Sequence, residues 1–512
     1  MTDVSTNDWM RSLAEHYARC RAGSSEERLL LVFDIDGTIL DMRHMVCHVL
    51  AGYDRGHGTD LFRGLRPDDV DVHENQVDRF LDARALAPSV RADVHRWYLD
   101  RRWEPAAVLE AHRPYRGVME VIRWFQLQPS TFVGLNTGRP ETLRAETLRS
   151  LNALGREYRV RFDNELLHMN PAGWDQEVNR SKVDALRAFA AAGYRVLAVV
   201  DNEPEIIEAM AAAEGTGEVL FLHARTLYES QRAAAVLPRT VEGDHYDLRS
   251  LIDERDLPQH VQIVWHGVND PANLRQFVAS PVRWGEVDIR YDPHRELVLR
   301  HDAFDVDGVG GRSPVAASGH PLLLDDCLDA FRGAGKGAKL DIKDAAAVEE
   351  VLAFVRRAGL TDADLWFNGD VDTLGQTTFR RLATAHPEAI VQCPVDFLGP
   401  LAVAAPAEAK QLIEMLRSWG VNRFSLSWAS PHVGLMLDRL SEWGYETNIY
   451  AVPDLEQFLR AVLLLPRSIT ADFNFPEWHY FGRGSGQHGR YHSYQLDPSA
   501  SASASQLTPA LA

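Results

Sequence analysis

Leu29-Leu30-Leu31-Val32-Phe33-Asp34-Ile35-Asp36-Gly37-Thr38 is the stretch on which the fold of this chain turns. Leu29 to Ile35 is a short apolar run that ends in Asp-Gly, and it reads as a buried strand. Two carboxylates two residues apart, at the C-terminal end of such a strand, point toward the crevice where α/β proteins bind ligands. Side by side they repel, so they require a cation or a shared proton. Gly37 lets the chain turn sharply after them.

Outward from this strand, the runs Thr131 to Asn136, Tyr194 to Val200 and Val219 to Leu222 read as further strands. Helical patterns lie between them, at Pro140 to Leu154 and Ser181 to Ala192. The alternation predicts an α/β domain over 1–250, a doubly wound parallel sheet with helices on both faces. About 95 residues separate the first two strands, where a crossover needs on the order of a dozen. Residues 42–115, rich in Arg, Asp, His and Leu at helical spacing, are read as an inserted helical cap.

A polar stretch, Val241 to Pro258, precedes a second alternating series. Its strand candidates are Val261–Trp265, Glu286–Arg290, Ala338–Ile342, Leu365–Asn368, Ala389–Cys393, Arg423–Ser427, Thr447–Tyr450 and Ser468–Phe473. Eight such units predict a (β/α)8 barrel over 258–490. The Ser/Ala-rich tail, 498–512, is expected to be disordered.

Composition excludes some functions. A formal charge of −19 argues against binding a nucleic acid polymer, while a locally basic site for a small anion stays open. The four cysteines, Cys20, Cys47, Cys327 and Cys393, have no metal-ligand spacing and suit a reducing compartment. Met1 to Leu13 has no apolar run of signal-peptide type, and no apolar stretch approaches a membrane span. A cytoplasmic protein with no membrane partner is expected.

Asp34-Ile35-Asp36-Gly37-Thr38 matches every position of the Asp-x-Asp-Gly-Thr motif of the haloacid dehalogenase-like phosphohydrolases, which the chain resembles from 28 to about 240. The family's second motif, a Thr or Ser ending the next strand, is matched by Asn136-Thr137-Gly138-Arg139-Pro140. The third, a lone basic residue, is matched by Lys182, and the fourth, an acidic strand end, by Asp201-Asn202-Glu203-Pro204-Glu205. The resemblance implies that Asp34 attacks phosphorus and that Asp36 serves as acid and then base. Thr137 would hydrogen-bond the phosphoryl group, aided by Gly138, Arg139 and a helix opening near Pro140. It further implies a Mg²⁺ held by Asp34, Asp201 and the carbonyl of Asp36, with Glu203 or Glu205 assisting. Read without the family, Asp-Gly-Thr is a common turn, Lys182 a solvated helix lysine, and Glu205 a first-turn residue suited to the helix dipole.

In the second series, Trp265-His266-Gly267-Val268-Asn269-Asp270 follows the first strand and Glu286-Val287-Asp288 lies on the second. Arg300-His301-Asp302 comes next, followed by Lys339-Leu340-Asp341-Ile342-Lys343 and Trp366-Phe367-Asn368-Gly369-Asp370. Residues two apart on a strand share a face, so Glu286 points with Asp288, and Lys339 with Asp341 and Lys343. Glu286, Asp288 and Asp341 can make one Mg²⁺ or Ca²⁺ site. His266 and His301 can act as base and acid, and Lys343 can stabilise a phosphorane oxygen. This constellation resembles the glycerophosphodiester phosphodiesterase superfamily with its sphingomyelinase D-type members, and most of all the menorin family. The likeness covers about 258–480 and is dense up to 371. Gly267 stands where glycerophosphodiesterases usually carry Arg, while Asp302 after His301 is a feature shared with them. Asn269 and Asn368 are taken as substrate-binding.

Together the motifs predict a bifunctional Mg²⁺-dependent phosphoester hydrolase acting on a small phosphorylated metabolite, with one metal ion per domain. The barrel would open a diester, cyclic diesters included, and the N-terminal domain would remove the monophosphate. Two alternatives remain open on the same residues: a phosphatase whose barrel only binds ligand, and a regulatory protein with neither centre active.

Overall fold

The computed structural model describes residues 9–23, 27–173, 177–226, 240–253, 257, 260–304 and 322–471. The chain divides into two compact units, Met1–Ile252 and Asp253–Ala512. The expected tail at 498–512, and the last part of the expected barrel beyond 471, lie outside the described residues.

The first unit is built on six strands, β1 (Leu29–Phe33), β2 (Thr131–Pro140), β3 (Leu167–Asn170), β4 (Arg195–Asp201), β5 (Leu220–Ala224) and β6 (Thr240–Gly243). They form one parallel sheet in the order β3-β2-β1-β4-β5-β6. All five residues of β1 are buried, because both of its edges are paired and both of its faces are covered. On one face Leu30, Val32, Phe189, Val199, Ile207 and Phe221 close a core against helices Val178–Ala191 and Pro204–Glu214. Strand order reverses around β1, so the ends of β2, β1 and β4 border the crevice at which such sheets bind ligands.

Three local expectations need correction. β3 and β6 were not foreseen, because Leu-His-Met-Asn and Thr-Val-Glu-Gly are short, half-polar edge strands without an apolar run. β6, with the short helix Leu248–Leu251, also takes up much of the stretch read as a polar connector. The helix expected from Pro140 starts at Arg144, after a 3₁₀ turn at Glu141–Leu143. Pro140 is extended (φ −67°, ψ 150°) and pairs with Asn170, so sheet pairing outcompetes the helix start.

Between β1 and β2 the chain makes the helical cap: Arg43–His57, Val77–Asp82, Pro88–Arg101 and Pro105–Glu110. Its two legs pair with each other. The Asp41 amide donates to the Arg113 carbonyl at 2.8 Å, and the Tyr115 amide to the Ile39 carbonyl at 2.9 Å. Excising residues 43–111 with a short bridge across these legs is therefore expected to leave the six-stranded sheet folded. Circular dichroism checks this, and an unfolded product would make the cap part of the core.

The second unit contains β7 (Gln262–Trp265), β8 (Trp284–Tyr291), β9 (Leu297–Leu299), β10 (Gly337–Ile342), β11 (Leu365–Asn368), β12 (Ile390–Pro394), β13 (Arg423–Ser427), β14 (Glu446–Val452) and β15 (Ser468–Ala471). Eight of them close a parallel barrel: β7-β8-β10-β11-β12-β13-β14-β15, with β15 paired back onto β7. β9 lies antiparallel on β8 beyond the ring. Each of the eight barrel strands overlaps an expected one. Helices follow most of the strands, as parallel connections require.

Candidate active sites

In the first unit Asp34 lies one residue past β1, Thr137 within β2, Asp201 at the end of β4, and Lys182 on helix Val178–Ala191. Four distant segments thus meet at the crevice. Asp34, Asp201 and Lys182 are 5 %, 1 % and 2 % exposed, so Lys182 is no solvated helix lysine. Its Nζ donates to Asp34 Oδ1 and to Asp201 Oδ2, each at 2.7 Å. Burial pushes the Asp34 carboxyl up to about 8, with Asp201 and Asp36 acting in the same direction and Lys182 against it. Burial also raises Asp201. Lys182 is raised although burial opposes it, because Asp201 and Asp34 outweigh burial.

One ammonium therefore does not fully offset the buried carboxylates. Such a set of hard oxygen donors with surplus negative charge fits Mg²⁺. Asp34, Asp201 and the backbone carbonyl of Asp36 are the groups that would hold it. Gly37 has φ +82°, and a Cβ there would collide with the Asn202 carboxamide, so only glycine brings the turn this close.

Asp36 and Arg139, 103 residues apart in sequence, form a two-pronged ion pair. Arg139 Nε donates to Asp36 Oδ2 at 2.7 Å and Nη2 to Oδ1 at 2.5 Å. The Arg139 amide donates to Thr137 Oγ1 at 3.2 Å, and Nη1 to Thr147 Oγ1 at 3.1 Å. Arg139 was expected to bind substrate; the structure places it, fully buried, on the proposed acid. Gly138 lines the same cavity. Glu203 donates its amide to Asp201 Oδ1 at 2.9 Å and turns its carboxylate to His73 of the cap at 3.1 Å, while Glu205 stays exposed at the cavity edge.

A cavity of about 650 Å³ opens over these groups and is walled in part by the cap residues His73, Glu74, Asn75, Gln76, Arg102 and Trp103. None of these six was singled out from the sequence. The cap carries no motif, and only its return over the sheet brings them to the site.

In the barrel, the charged residues occupy the inner face of β8 and β10 as cross-strand neighbours, Glu286 beside Lys339 and Asp288 beside Asp341. The next strands continue the upper row: Asn368 on β11 aligns with Asp341, and Gln392 on β12 with Asn368. Asn368 Nδ2 donates to Asp341 Oδ1 at 2.9 Å, and Gln392 Nε2 to Asn368 Oδ1 at 2.8 Å. Asn269 clamps Asp288 from both sides: its Nδ2 donates to Asp288 Oδ2 at 2.7 Å and its Oδ1 accepts the Asp288 amide at 2.9 Å. The structure thus sets Asn269 and Asn368 as brackets for carboxylates.

Lys343 Nζ lies 3.0 Å from Asp288 Oδ1 and is ion-paired with Asp341. Burial works to raise Asp288, but Lys343, His301 and His266 outweigh it and hold this carboxyl below its usual range. Asp341 moves the other way, raised by burial and by Asp288 and Glu286 against Lys343. His266 Nε2 lies 3.3 Å from Glu286 Oε2, and His301 Nδ1 is 2.9 Å from Asp302 Oδ1. The fold therefore brings His266, His301, Lys343, Asp288, Glu286 and Asp341 into one charged neighbourhood.

Glu286 Oε2 and Asp288 Oδ1 are buried and lack a well-aligned hydrogen bond, and each faces a basic group, His266 and Lys343 respectively. Such clustered hard oxygens are the donor type that Mg²⁺ or Ca²⁺ takes, and Glu286, Asp288 and Asp341 would hold it. Among the described residues no three His, Cys, Asp or Glu side chains converge on one point as they stand. In both units a lysine ammonium lies between carboxylates instead.

Lys339 is 2 % exposed, with Nζ 2.8 Å from Glu286 Oε1 and donating to Thr470 Oγ1 at 2.9 Å. Lys339→Met leaves Glu286 buried without this partner and is expected to destabilise the barrel by about 3–5 kcal/mol in denaturant unfolding. Adding Glu286→Gln should recover part of the loss. An additive double variant would show that the two groups are not coupled.

No helix among the described residues is long and apolar enough to cross a membrane. No protein-family model and no curated protein matches the sequence. Among solved structures, an Oleispira antarctica phosphodiesterase in complex with its product sn-glycerol-3-phosphate is 14 % identical over 42 % of this chain and 94 % of its own, with a TM-score of 0.34. A glycerophosphodiester phosphodiesterase from Thermotoga maritima is 14 % identical over 41 % of this chain and 94 % of its own, with a TM-score of 0.31. A candidate phosphoglycolate phosphatase from Lactobacillus plantarum is 15 % identical over 39 % of this chain and 86 % of its own, with a TM-score of 0.24. These likenesses are too distant to carry an argument about activity.

Proposed function

We propose that the chain is a bifunctional phosphoester hydrolase: the first unit cleaves phosphomonoesters through a phosphorylated Asp34, and the barrel cleaves phosphodiesters. The observation that carries the first half is the buried Asp34–Lys182–Asp201 bridge at the floor of a cavity roofed by a cap. Lys182 holds the carboxylate oxygen of Asp34 and offsets charge on the phosphoryl oxygens. Asp34 forms the new bond to phosphorus while the bond to the leaving oxygen breaks. Asp36 supplies the proton to that oxygen and takes one from the water that releases phosphate. For this the Asp36–Arg139 pair has to open, and the phosphoryl group is the competing anion that draws the guanidinium away. Bound Mg²⁺ would add charge neutralisation at the phosphoryl group.

The barrel half is supported by His266 at 3.3 Å from Glu286, Lys343 at 3.0 Å from Asp288, and His301, held by Asp302, within electrostatic reach of Asp288. One imidazole takes the proton of the attacking oxygen, the other protonates the leaving oxygen, and Lys343 stabilises negative charge growing at phosphorus. The product of this reaction is a monoester, the substrate class of the first unit. The proposed partner is thus a small phosphorylated metabolite, and the proposed site of action is the cytoplasm.

The full chain, supplied with Mg²⁺, is expected to release p-nitrophenol from both p-nitrophenyl phosphate and bis(p-nitrophenyl) phosphate. Turnover of the monoester alone would remove the diesterase half. Turnover of neither, with phosphate release also absent across a metabolite library, would remove the whole proposal.

A further inference from the structure

At the floor of the first unit's cavity two cations, Lys182 and Arg139, meet Asp34, Asp36 and the Asp201 that Lys182 also bridges. The cavity walls are more acidic still. Four carboxylates, Glu74, Glu177, Glu203 and Glu205, line them against two guanidinium groups, Arg102 and Arg180. Arg102 spends one terminal nitrogen on neutral acceptors and keeps a buried Nε donor over, while Arg180 makes exposed ion pairs. Arg102 Nη1 donates to the Glu74 carbonyl at 3.1 Å and to Asn75 Oδ1 at 2.5 Å. Arg180 Nη1 lies 3.4 Å from Glu177 Oε2, and its Nε 3.9 Å from Asp184. His73 sits between two of the acids, 3.3 Å from Glu74 and 3.1 Å from Glu203.

Carboxamides make up much of the rest of the wall, beside Trp103, Val178 and Ile206. The 3₁₀ turn Glu74–Gln76 lowers Asn75 and Gln76 to the cavity from the cap, and Asn179 lines it from the start of helix Val178–Ala191. Carboxamides donate and accept, which matches hydroxyl groups that do the same. The single aromatic ring on the wall is Trp103, which stands 5.4 Å from the Arg139 guanidinium.

We infer that the part of the substrate left behind after phosphate removal is an uncharged, hydroxyl-rich group, a polyol or sugar, and that a second anionic group on it is rejected. This rests on the monoesterase reading of the same site. The phosphoryl group is met by the floor. A carboxylate or second phosphate would be carried into walls where four carboxylates outnumber two guanidinium groups, whereas a hydroxyl in the same place finds Asn75, Gln76 or Asn179. Discrimination here comes from repulsion of the wrong ligand as much as from attraction of the right one.

The test is a matched pair on the full chain with Mg²⁺: glycerol 3-phosphate against 3-phosphoglycerate, which differ by a hydroxymethyl in place of a carboxylate. A ratio of kcat/KM of at least 10 in favour of glycerol 3-phosphate is expected. Glu177→Lys, which reverses charge at the rim, should cut that ratio several-fold, mainly by lowering KM for 3-phosphoglycerate. A ratio at or below one, with p-nitrophenyl phosphate still hydrolysed, would overturn the inference and leave the monoesterase reading standing. A ratio that Glu177→Lys does not move would show that wall charge is not its cause. Failure to hydrolyse any monoester would remove the monoesterase reading and this inference together.

Discussion

Asp34→Asn is expected to remove Mg²⁺-dependent monoesterase activity by a factor on the order of 10⁶, the scale on which loss of a covalent nucleophile acts. An amide does not form the acyl phosphate, and its oxygen is a far poorer nucleophile than a carboxylate. The change is nearly isosteric. The amide oxygen can still accept from Lys182, and Lys182 keeps Asp201 at 2.7 Å, so the variant should fold. Unchanged thermal unfolding would separate lost chemistry from lost structure. Diester cleavage should persist, because none of the barrel groups is altered. A variant that retains full monoesterase activity would take Asp34 out of the nucleophile role.

The second large effect is expected in the barrel, where three kinds of substitution should separate. His266→Ala and His301→Ala should each lower diester turnover by about 10²–10⁴-fold, the usual worth of a positioned acid or base, while metal affinity stays. Glu286→Gln and Asp341→Asn should weaken Mg²⁺ or Ca²⁺ binding itself, since a neutral amide is a poorer ligand for a hard dication. Asp341→Asn also gives up the charge that pairs with Lys343, so its unfolding midpoint should fall as well. Lys343→Met should slow turnover more than it weakens metal binding. Isothermal titration with the metal ion, set beside diester kinetics, reads all three. Histidine variants that lose only stability, with no diester cleaved by the wild type, would make the barrel a binding module.

Much of the architecture was legible because it is written in local patterns. The run Leu29–Phe33 declares a strand covered on both faces, and the eight barrel strands announce themselves by short apolar runs. The unusually long gap before Thr131 declares the cap. The period of two along a strand was enough to put Glu286 with Asp288, and Lys339 with Asp341. The two edge strands were illegible, since Leu167–Asn170 and Thr240–Gly243 carry no such run.

By itself, the sequence determined the two α/β architectures and which chemical groups stand at the ends of their strands, because hydrophobic period and strand-end carboxylates are properties of neighbours along the chain. Only the tertiary structure decided which group faces which. Beside the proposed nucleophile Asp34, which the resemblance already assigned it, Lys182 turned out to hold Asp201, Arg139 to be locked on Asp36, and Asn269 and Asn368 to hold carboxylates. The acidic, carboxamide-lined wall drawn from His73 to Gln76 was equally invisible beforehand. Such pairings join residues scattered widely along the chain, and a charge buried by folding takes whichever partner the packed backbone brings within about 3 Å, a distance that no local pattern encodes.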